Sequence, residues 1–154
     1  MHGDGDGWVF DPDGARYWGL HGAAGLLLST RLADGAHAVL LQHRAVWSHQ
    51  GGTWGLPGGA RDSHESAIDA AVREAHEETG IEADAISVVD TEVTHQAVSG
   101  WTYTTVIARA DGELTTTANG ESTELRWVRE DDVDGLPLHP GFGRSWPELR
   151  KRLR

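Results

Sequence analysis

Short apolar runs, each about the length of a strand, recur along the chain with turn-forming residues between them. GAAGLLLS (22–29) and HAVLLQHR (37–44) are separated by the turn-forming triplet at 33–35, which predicts two paired strands. Three further segments rich in β-branched and aromatic residues are also predicted as strands: AISVVD (85–90), WTYTTVIARA (101–110) and ELRWV (124–128).

Two other segments have helical character, one central (63–79) and one terminal (140–153). Strands dominate the pattern, so we expect an α+β protein, arranged as an α/β/α sandwich around a mixed β-sheet. A chain of 154 residues is expected to form one domain, 1–154. Residues 1–22 are rich in Gly and Asp and predict an irregular or hairpin-like lead-in.

The ends of the central helix are predicted from capping residues. Asp62 is a favourable N-cap, and Glu65 three residues later completes a start that resembles a capping box. Gly80 can adopt the left-handed conformation that ends a helix. The helix is therefore expected to run from about residue 63 to residue 79.

Three carboxylates share one face of this helix, because Glu74, Glu77 and Glu78 fall within an arc of about 100°. Ala67 and Ala70 have small side chains, which leave room for a ligand beside the carboxylates. An adjacent apolar stripe is expected to face the sheet: Ile68, Ala71, Val72 and Ala75.

The late position of these glutamates in the helix is unfavourable. Like charges four residues apart cost about 0.2–0.5 kcal/mol, and a carboxylate near the C-terminus opposes the helix dipole by about 0.3–1 kcal/mol. A solvated charged face is one interpretation, since such faces are common. The other is a site for Mg²⁺ or Mn²⁺, which prefer hard oxygen ligands and would offset the repulsion.

Composition narrows the possible partners. The chain has 13 basic and 24 acidic residues and a net charge of -11, which disfavours binding to nucleic acid. It has no cysteine, and its nine histidines show no zinc-ligand spacing. The N-terminal residues do not resemble a secretory signal and no apolar run is long enough for a bilayer, so we expect a cytoplasmic protein without a membrane partner.

The spacing around the central helix is more specific than its composition. Gly59, Glu65 and the run from Arg73 to Ile81 follow the pattern G-x5-E-x7-R-E-U-x-E-E-x-G-U, in which U is apolar. This segment resembles the Nudix box at every fixed position, although Ala75 is small for an apolar slot. The resemblance implies the Nudix fold and hydrolysis of a nucleoside diphosphate linked to another group.

The resemblance also implies a metal site. Glu74, Glu77 and Glu78 would ligate Mg²⁺ or Mn²⁺, and a backbone carbonyl at Gly58 or Gly59 would supply another oxygen. The physical reading agrees, because glycines let the backbone approach an ion without an intervening Cβ.

Glu65 and Arg73 are predicted to support this site. Glu65 would lie about 180° from Glu74 on the helix, so we assign it to helix capping and loop support. Arg73 is either a phosphate contact or a structural partner, and orientation of Glu77 is the favoured role.

The remaining site residues are candidates only. The alternatives for the general base are Glu74, Glu121 and Glu124. Glu74 lies on the metal face, whereas Glu121 and Glu124 precede the strand LRWV, where some family members carry an extra glutamate. Arg44 is a candidate phosphate contact, with a surface arginine as the alternative. The candidates for stacking on a base are aromatic residues for which core packing is the more frequent role: Trp47, Trp101 and Tyr103.

The sequence does not select the substrate. The short chain favours a nucleoside triphosphate pyrophosphohydrolase, by analogy with small family members. ADP-ribose or another nucleotide sugar or dinucleotide is the alternative substrate, and a nucleotide-sensing module without catalysis is the alternative function. A monomer and a homodimer are both possible.

Overall fold

The computed structural model describes residues 3–45, 51–119 and 122–153. Its strands are β1 (Trp8–Phe10), β2 (Arg16–Trp18), β3 (Ala23–Arg31), β4 (His37–Arg44), β5 (Trp54–Gly55), β6 (Gly58–Ala60), β7 (Ser87–Gln96), β8 (Thr102–Arg109) and β9 (Ser122–Arg129). Its α-helices are α1 (Ala67–Thr79) and α2 (Pro140–Leu149), and short 3-10 segments cover Ala83–Ala85, Glu130–Gly135 and Arg150–Leu153.

A seven-stranded mixed sheet forms the centre of the fold. Its main order is β5-β4-β3-β8-β7, with β6 paired to β3 and β9 paired to β4. Strands β3 and β4 pair, as predicted, and are antiparallel, whereas β3 and β8 are parallel. Strand β3 pairs with β4 at residues 29–31 but with β6 at residues 23–25, so the glycines of β6 lie beside its N-terminal part.

Apolar side chains pack on both faces of this sheet, because successive residues of a strand point to opposite sides. Leu26 and Leu28 of β3 pack with the alanines of α1, and Leu27 packs on the other face with Phe142 and Trp146 of α2. Each helix therefore covers one face of the sheet. This layered arrangement confirms the predicted α+β class.

Helix α1 begins later than the sequence predicts. Ser66 is the N-cap, and its hydroxyl accepts a hydrogen bond from the backbone N–H of Asp69. The predicted N-cap, Asp62, instead accepts a hydrogen bond from the N–H of Gly5 across the fold. The predicted end is confirmed, because Gly80 has φ 79° and its N–H donates to His76.

The buried face of α1 also differs from the predicted stripe. Ile68 is 38% exposed, whereas Ala70 and Glu78 are buried beside Ala71 and Ala75. The buried face and the carboxylate arc therefore overlap. The physical reason is that α1 packs on β3 and β6, and small alanines allow this close approach.

The remaining elements match the predictions with shifted boundaries. The segment predicted as a strand at 85–90 begins with a 3-10 turn and then forms β7, which continues to Gln96 by pairing with β8. The predicted terminal helix ends at Leu149 and continues as a 3-10 segment. The lead-in contains the antiparallel hairpin of β1 and β2. Within the described ranges, no helix is both long and apolar enough to cross a bilayer.

Candidate functional site

A large cavity lies where α1, the glycine strand β6, the β1–β2 hairpin and the ends of β7 and β8 meet. Its volume is about 1400 Å³, and we call it the site cavity. The predicted site residues that line it come from separate parts of the chain: Arg44, Gly58, Gly59, Glu74, Glu77, Glu78, Trp101 and Tyr103. The fold therefore brings together most of the residues that the sequence indicated.

The three box glutamates lie on the wall that α1 contributes, but their environments differ. Glu78 is only 5% exposed, and its carboxylate accepts a 2.8 Å hydrogen bond from the N–H of Gly58. Glu74 is half-buried and Glu77 is the most exposed of the three. The glutamates therefore form a graded carboxylate wall, which runs from the glycine strand outward to solvent.

The donor atoms on this wall have the right chemistry for a hard divalent cation, because they are carboxylate oxygens. They do not converge on one point. Across residues 3–45, 51–119 and 122–153, no three His, Cys, Asp or Glu side chains are gathered closely enough to form a metal-binding group. The carboxylate wall therefore carries the type of ligand that the predicted metal site requires.

Gly59 lies so close to Glu74 that a larger residue would collide with the carboxylate of that side chain. A Cβ added at Gly59 would stand 2.6 Å from the carboxyl carbon of Glu74 and within 2.9 Å of both of its oxygens. Real Cβ atoms do not make such contacts, so either the strand or the carboxylate would move. The glycine is therefore required by the position of the Glu74 side chain.

Arg73 connects the helix to the loop that precedes it. Its guanidinium donates to both carboxylate oxygens of Glu65, from Nε at 2.7 Å and from Nη2 at 2.8 Å. It also donates from Nη1 to Glu74 at 2.8 Å, whereas its nearest oxygen of Glu77 is 3.7 Å away. Arg73 is a structural partner, as favoured, but the carboxylate that it orients most directly is Glu74.

Glu65 supports the loop, although it does so from outside the helix. Its side chain accepts from the N–H of Asp62 at 3.0 Å while it holds Arg73. The hydrogen bonds from Arg73 are the main reason that the pKa of Glu65 lies below its ordinary value, and the same hydrogen bonds are the main reason that the pKa of Arg73 is raised. The guanidinium of Arg73 thus connects Glu65 to Glu74. The two glutamates were predicted to have separate roles, but Glu65 also helps to position Glu74 through Arg73.

Tyr103 lies deep in the site cavity. Its hydroxyl packs so closely on Gly25 of β3 that a Cβ at that position would clash with it. Burial, and then the charge of Glu78, raises the pKa of the phenol, while the positive charge of Arg44 acts in the opposite direction. Arg44, Tyr103 and Glu78 are therefore close enough to interact electrostatically, and the phenol stays protonated at neutral pH.

Trp101 is held in place by partners on the β1–β2 hairpin. Its indole stacks on the ring of Tyr17 with centroids 4.6 Å apart, and its Nε1 donates to the carbonyl of Gly19 at 2.9 Å. The ring lines the site cavity but already has a stacking partner on one side. Trp101 thus combines the packing role and the cavity position that the sequence offered as alternatives.

Two of the predicted residues, Trp47 and Glu121, lie outside the described residues. Glu124 is described, and its side chain is 47% exposed on β9, where its carboxylate accepts from Arg126 at 2.9 Å. It is not among the described residues that line the site cavity. Of the two base candidates that are described, Glu74 is therefore the one that lies on the cavity wall.

The lead-in contributes to the cavity, which was not predicted from the sequence. Trp8, Arg16, Tyr17 and Trp18 of the β1–β2 hairpin line it, together with His95 of β7. A signal was present, because WVF and RYW flank the turn-forming DPDG. Strands of three residues are too short for an alternation pattern to stand out.

The chain also matches a known protein family. A family model described as "NUDIX domain" matches residues 20–149. The chain belongs to the Nudix family. The predicted membership is therefore confirmed, and the matched segment contains the box, the glycine strand and both α-helices.

Individual relatives extend the match to almost the whole chain. A relative from Mycobacterium tuberculosis named "Putative 8-oxo-dGTP diphosphatase 3" is 58% identical over 97% of this chain and 71% of its own length. The crystal structure of a Nudix hydrolase from Mycobacterium smegmatis, RenU, has a TM-score of 0.93 and 60% identity, with coverage of 97% of this chain and 95% of that chain.

A more distant solved structure is the Nudix domain of Shewanella oneidensis NrtR complexed with ADP ribose. It is 25% identical, with a TM-score of 0.64 and coverage of 86% of this chain and 87% of that chain. Taken together, the matches confirm the predicted Nudix fold and the predicted class of enzyme, a Nudix pyrophosphohydrolase.

Proposed function

We propose that this Nudix enzyme hydrolyses a nucleoside triphosphate at a diphosphate bond and depends on Mg²⁺ or Mn²⁺. The observation that carries the proposal is the wall of Glu74, Glu77 and Glu78 beside the glycine strand in one large cavity. The relative named as an 8-oxo-dGTP diphosphatase supports a triphosphate as the substrate class. We therefore choose 8-oxo-dGTP as the first compound to test.

The carboxylate wall would hold the cation, with a backbone carbonyl at Gly58 or Gly59 as a further oxygen ligand. A bound divalent cation supplies neutralisation of the diphosphate charge and activation of water. The chain itself provides the positions of its ligands: Gly58 holds Glu78 through its N–H, and Arg73 holds one oxygen of Glu74. Both contacts restrict the carboxylates before a substrate arrives.

The other side chains have proposed roles in binding and proton transfer. Arg44 borders the cavity and is suited to contact phosphate oxygens, because a guanidinium matches their geometry. Trp101 and Tyr103 would contact the nucleoside, with Trp47 as a further candidate. Glu74 would act as the general base from the cavity wall, and Glu121 and Glu124 remain alternative bases to be tested by mutation.

A second substrate class is favoured by the size of the cavity. At about 1400 Å³, the site cavity is larger than the roughly 300–1,000 Å³ typical of small-molecule sites. ADP-ribose or a dinucleotide polyphosphate would occupy more of this volume than a single triphosphate. The fold neighbour solved with ADP ribose supports the inclusion of this class in the assay.

The decisive experiment is a hydrolysis panel with products separated by chromatography. 8-oxo-dGTP, the four ordinary deoxynucleoside triphosphates, ADP-ribose and a diadenosine polyphosphate are each incubated with the protein and Mg²⁺ or Mn²⁺. The proposal expects the fastest turnover for a triphosphate, with a nucleoside monophosphate and pyrophosphate as products. Faster turnover of ADP-ribose than of any triphosphate would assign the enzyme to ADP-ribose or a related compound instead. Binding of a nucleotide without hydrolysis of any compound in the panel would indicate a sensing module.

The panel needs a control for contaminating hydrolases. Glu78→Gln removes a charge from the cavity wall, whereas Glu82→Gln changes an exposed carboxylate just beyond α1. The proposed activity should disappear in the first variant and persist in the second. Activity that is equal in both variants would assign the hydrolysis to another protein. A cytoplasmic location and a monomeric or homodimeric state stay predictions.

A further inference from the structure

The β1–β2 hairpin forms a wall of the site cavity that lies outside the segment matched by the family model. The hairpin covers residues 8–18, and the match begins at residue 20. Trp8, Arg16 and Trp18 of this hairpin border the same cavity as the box glutamates. We call these three side chains the hairpin wall. The residues that define the family therefore do not account for this side of the cavity.

The hairpin is fastened to the body of the protein at several points. Tyr17 stacks on Trp101, and the carboxylate of Asp11 accepts hydrogen bonds from the N–H groups of Val98 and Ser99, each at 3.2 Å. At the other end of the lead-in, the N–H of Gly5 donates to Asp62, two residues beyond β6. The wall thus has a defined position relative to the glycine strand.

The chemistry of the hairpin wall is that of a surface for a flat aromatic group. Trp18 is 44% exposed although it borders a cavity, and its ring and that of Trp8 meet in a T-shaped arrangement with centroids 5.1 Å apart and an interplanar angle of 75°. The guanidinium of Arg16 lies 4.5 Å from the centroid of Trp8, which adds hydrogen-bond donors next to the rings. Aromatic rings with adjacent Arg donors are suited to stacking on a nucleobase and to contacting its carbonyl oxygen.

Packing within the hairpin does not require this exposure. An indole that served only to stabilise two short strands would gain by packing against the body of the protein, as the ring of Tyr17 does on Trp101. We propose that the hairpin wall, and Trp18 in particular, binds the nucleobase of the substrate while the box glutamates act at the diphosphate. This inference rests on the proposed function, because it divides one substrate between two walls of one cavity.

The test compares two exposed aromatic residues of the same hairpin. Trp18→Ala removes the proposed stacking surface, and Trp18→Phe restores an aromatic ring. Phe10→Ala is the matched control, since Phe10 is 64% exposed on β1 and is not among the described residues that line the site cavity. Circular dichroism and thermal unfolding check that all three variants fold.

The kinetic readout uses substrates with and without a base. For the best nucleoside triphosphate of the panel, Trp18→Ala should raise KM by about 5- to 150-fold, which corresponds to the loss of one aromatic stacking partner of a base. KM for 5-phosphoribosyl 1-pyrophosphate, a diphosphate without a base, should not change in this variant. Trp18→Phe should recover most of the loss, and Phe10→Ala should resemble the unmodified protein for both compounds.

A binding measurement separates this inference from the proposed function. Calorimetric titration with α,β-methylene dGTP, which resists hydrolysis at that bridge, should show weaker binding to Trp18→Ala than to the unmodified protein. If no nucleotide is hydrolysed but this loss is seen, the proposed catalysis fails and the nucleobase site stands. If hydrolysis is found but KM and the binding constant are unchanged in Trp18→Ala, the nucleobase site is refuted and the catalysis stands.

An effect of Trp18→Ala on oligomeric state alone, measured by sedimentation, would also overturn the inference. It would assign the exposed indole to contact with a second copy of the chain. An equal rise of KM for the base-free compound would do the same, because it would show a general disturbance of the cavity.

Discussion

Replacement of Glu65 by Gln should separate the support of the carboxylate wall from the wall itself. Glu65 accepts two hydrogen bonds from Arg73, at 2.7 and 2.8 Å, and one from the N–H of Asp62 at 3.0 Å. Its side chain is only 8% exposed and that of Arg73 is 22% exposed. Gln retains one acceptor oxygen but directs an NH₂ group toward the donors of Arg73, so at least one charged hydrogen bond is lost.

The magnitude follows from the burial of the pair. A hydrogen bond to a charged group contributes about 1.5–3 kcal/mol, and removal of one partner from a buried pair costs about 3–5 kcal/mol. Arg73 is partly accessible to water, which lowers the cost, so we expect the free energy of unfolding to fall by about 2–4 kcal/mol. For a domain of this size, that loss lowers Tm by about 4–16 °C.

The stabilisation by the Glu65–Arg73 pair should depend on pH. Arg73 holds the pKa of Glu65 below its ordinary value of 4.5, so the folded state binds this proton less readily than the unfolded state. The stabilisation is therefore fully present above about pH 4.5 and is lost as the pH falls through the lower folded pKa. The difference in unfolding free energy between the unmodified protein and Glu65→Gln should shrink over that range.

Urea unfolding at pH 7.5 and at several values down to pH 3.5, in EDTA to exclude bound cations, measures both quantities. Glu148→Gln is the matched control, because Glu148 contacts Lys151 at 3.3 Å with both side chains at least 70% exposed. No measurable change is expected there. Equal stability of Glu65→Gln and the unmodified protein at pH 7.5, or a difference that persists unchanged at the acid end, would refute the reasoning.

Three further predictions concern activity on the substrate that the panel identifies. Glu77→Gln and Glu78→Gln should each lower kcat by at least about 100-fold, since each removes a proposed metal ligand. The free energy of unfolding of each variant should stay close to that of the unmodified protein. Near-normal steady-state rates in both variants would exclude the carboxylate wall as the catalytic site. Gly59→Ala should lower kcat by about 100-fold, because its Cβ would displace the Glu74 carboxylate. Gly112→Ala is the control and should not lower kcat, because the added Cβ meets no atom within 4 Å. Equal rates in the two variants would contradict the close contact between Gly59 and Glu74. Chelation with EDTA should abolish turnover and added Mg²⁺ or Mn²⁺ should restore it, and activity that survives dialysis against EDTA would argue against a metal-dependent reaction.

Local patterns predicted much of the sheet and helix content, because apolar runs and turn signals act over a few residues. The runs at 22–29 and 37–44 correspond to β3 and β4, and Gly80 ends α1 as expected. The late glutamates were also recognisable, since helical periodicity alone places Glu74, Glu77 and Glu78 on one face. Their match to the Nudix box then indicated the class of enzyme.

Predictions that depended on packing were less successful. Helix α1 begins at Ala67 with Ser66 as its N-cap, and the predicted cap, Asp62, instead accepts a hydrogen bond from Gly5, which lies far away in the sequence. Arg73 orients Glu74 more directly than Glu77 because Glu65 holds the guanidinium from the neighbouring loop. These outcomes depend on contacts between segments, which helical periodicity does not encode.

The sequence by itself determined the enzyme family and the carboxylate face, because the box is a single local segment with fixed spacing. Only the tertiary structure decided what surrounds that face. It placed Arg44, Tyr103 and the β1–β2 hairpin around one cavity, and it positioned Glu124 on an exposed part of β9. The physical reason is that sheet pairing and the docking of the hairpin bring distant segments together, and the residues that contact the substrate outside the box come from those segments.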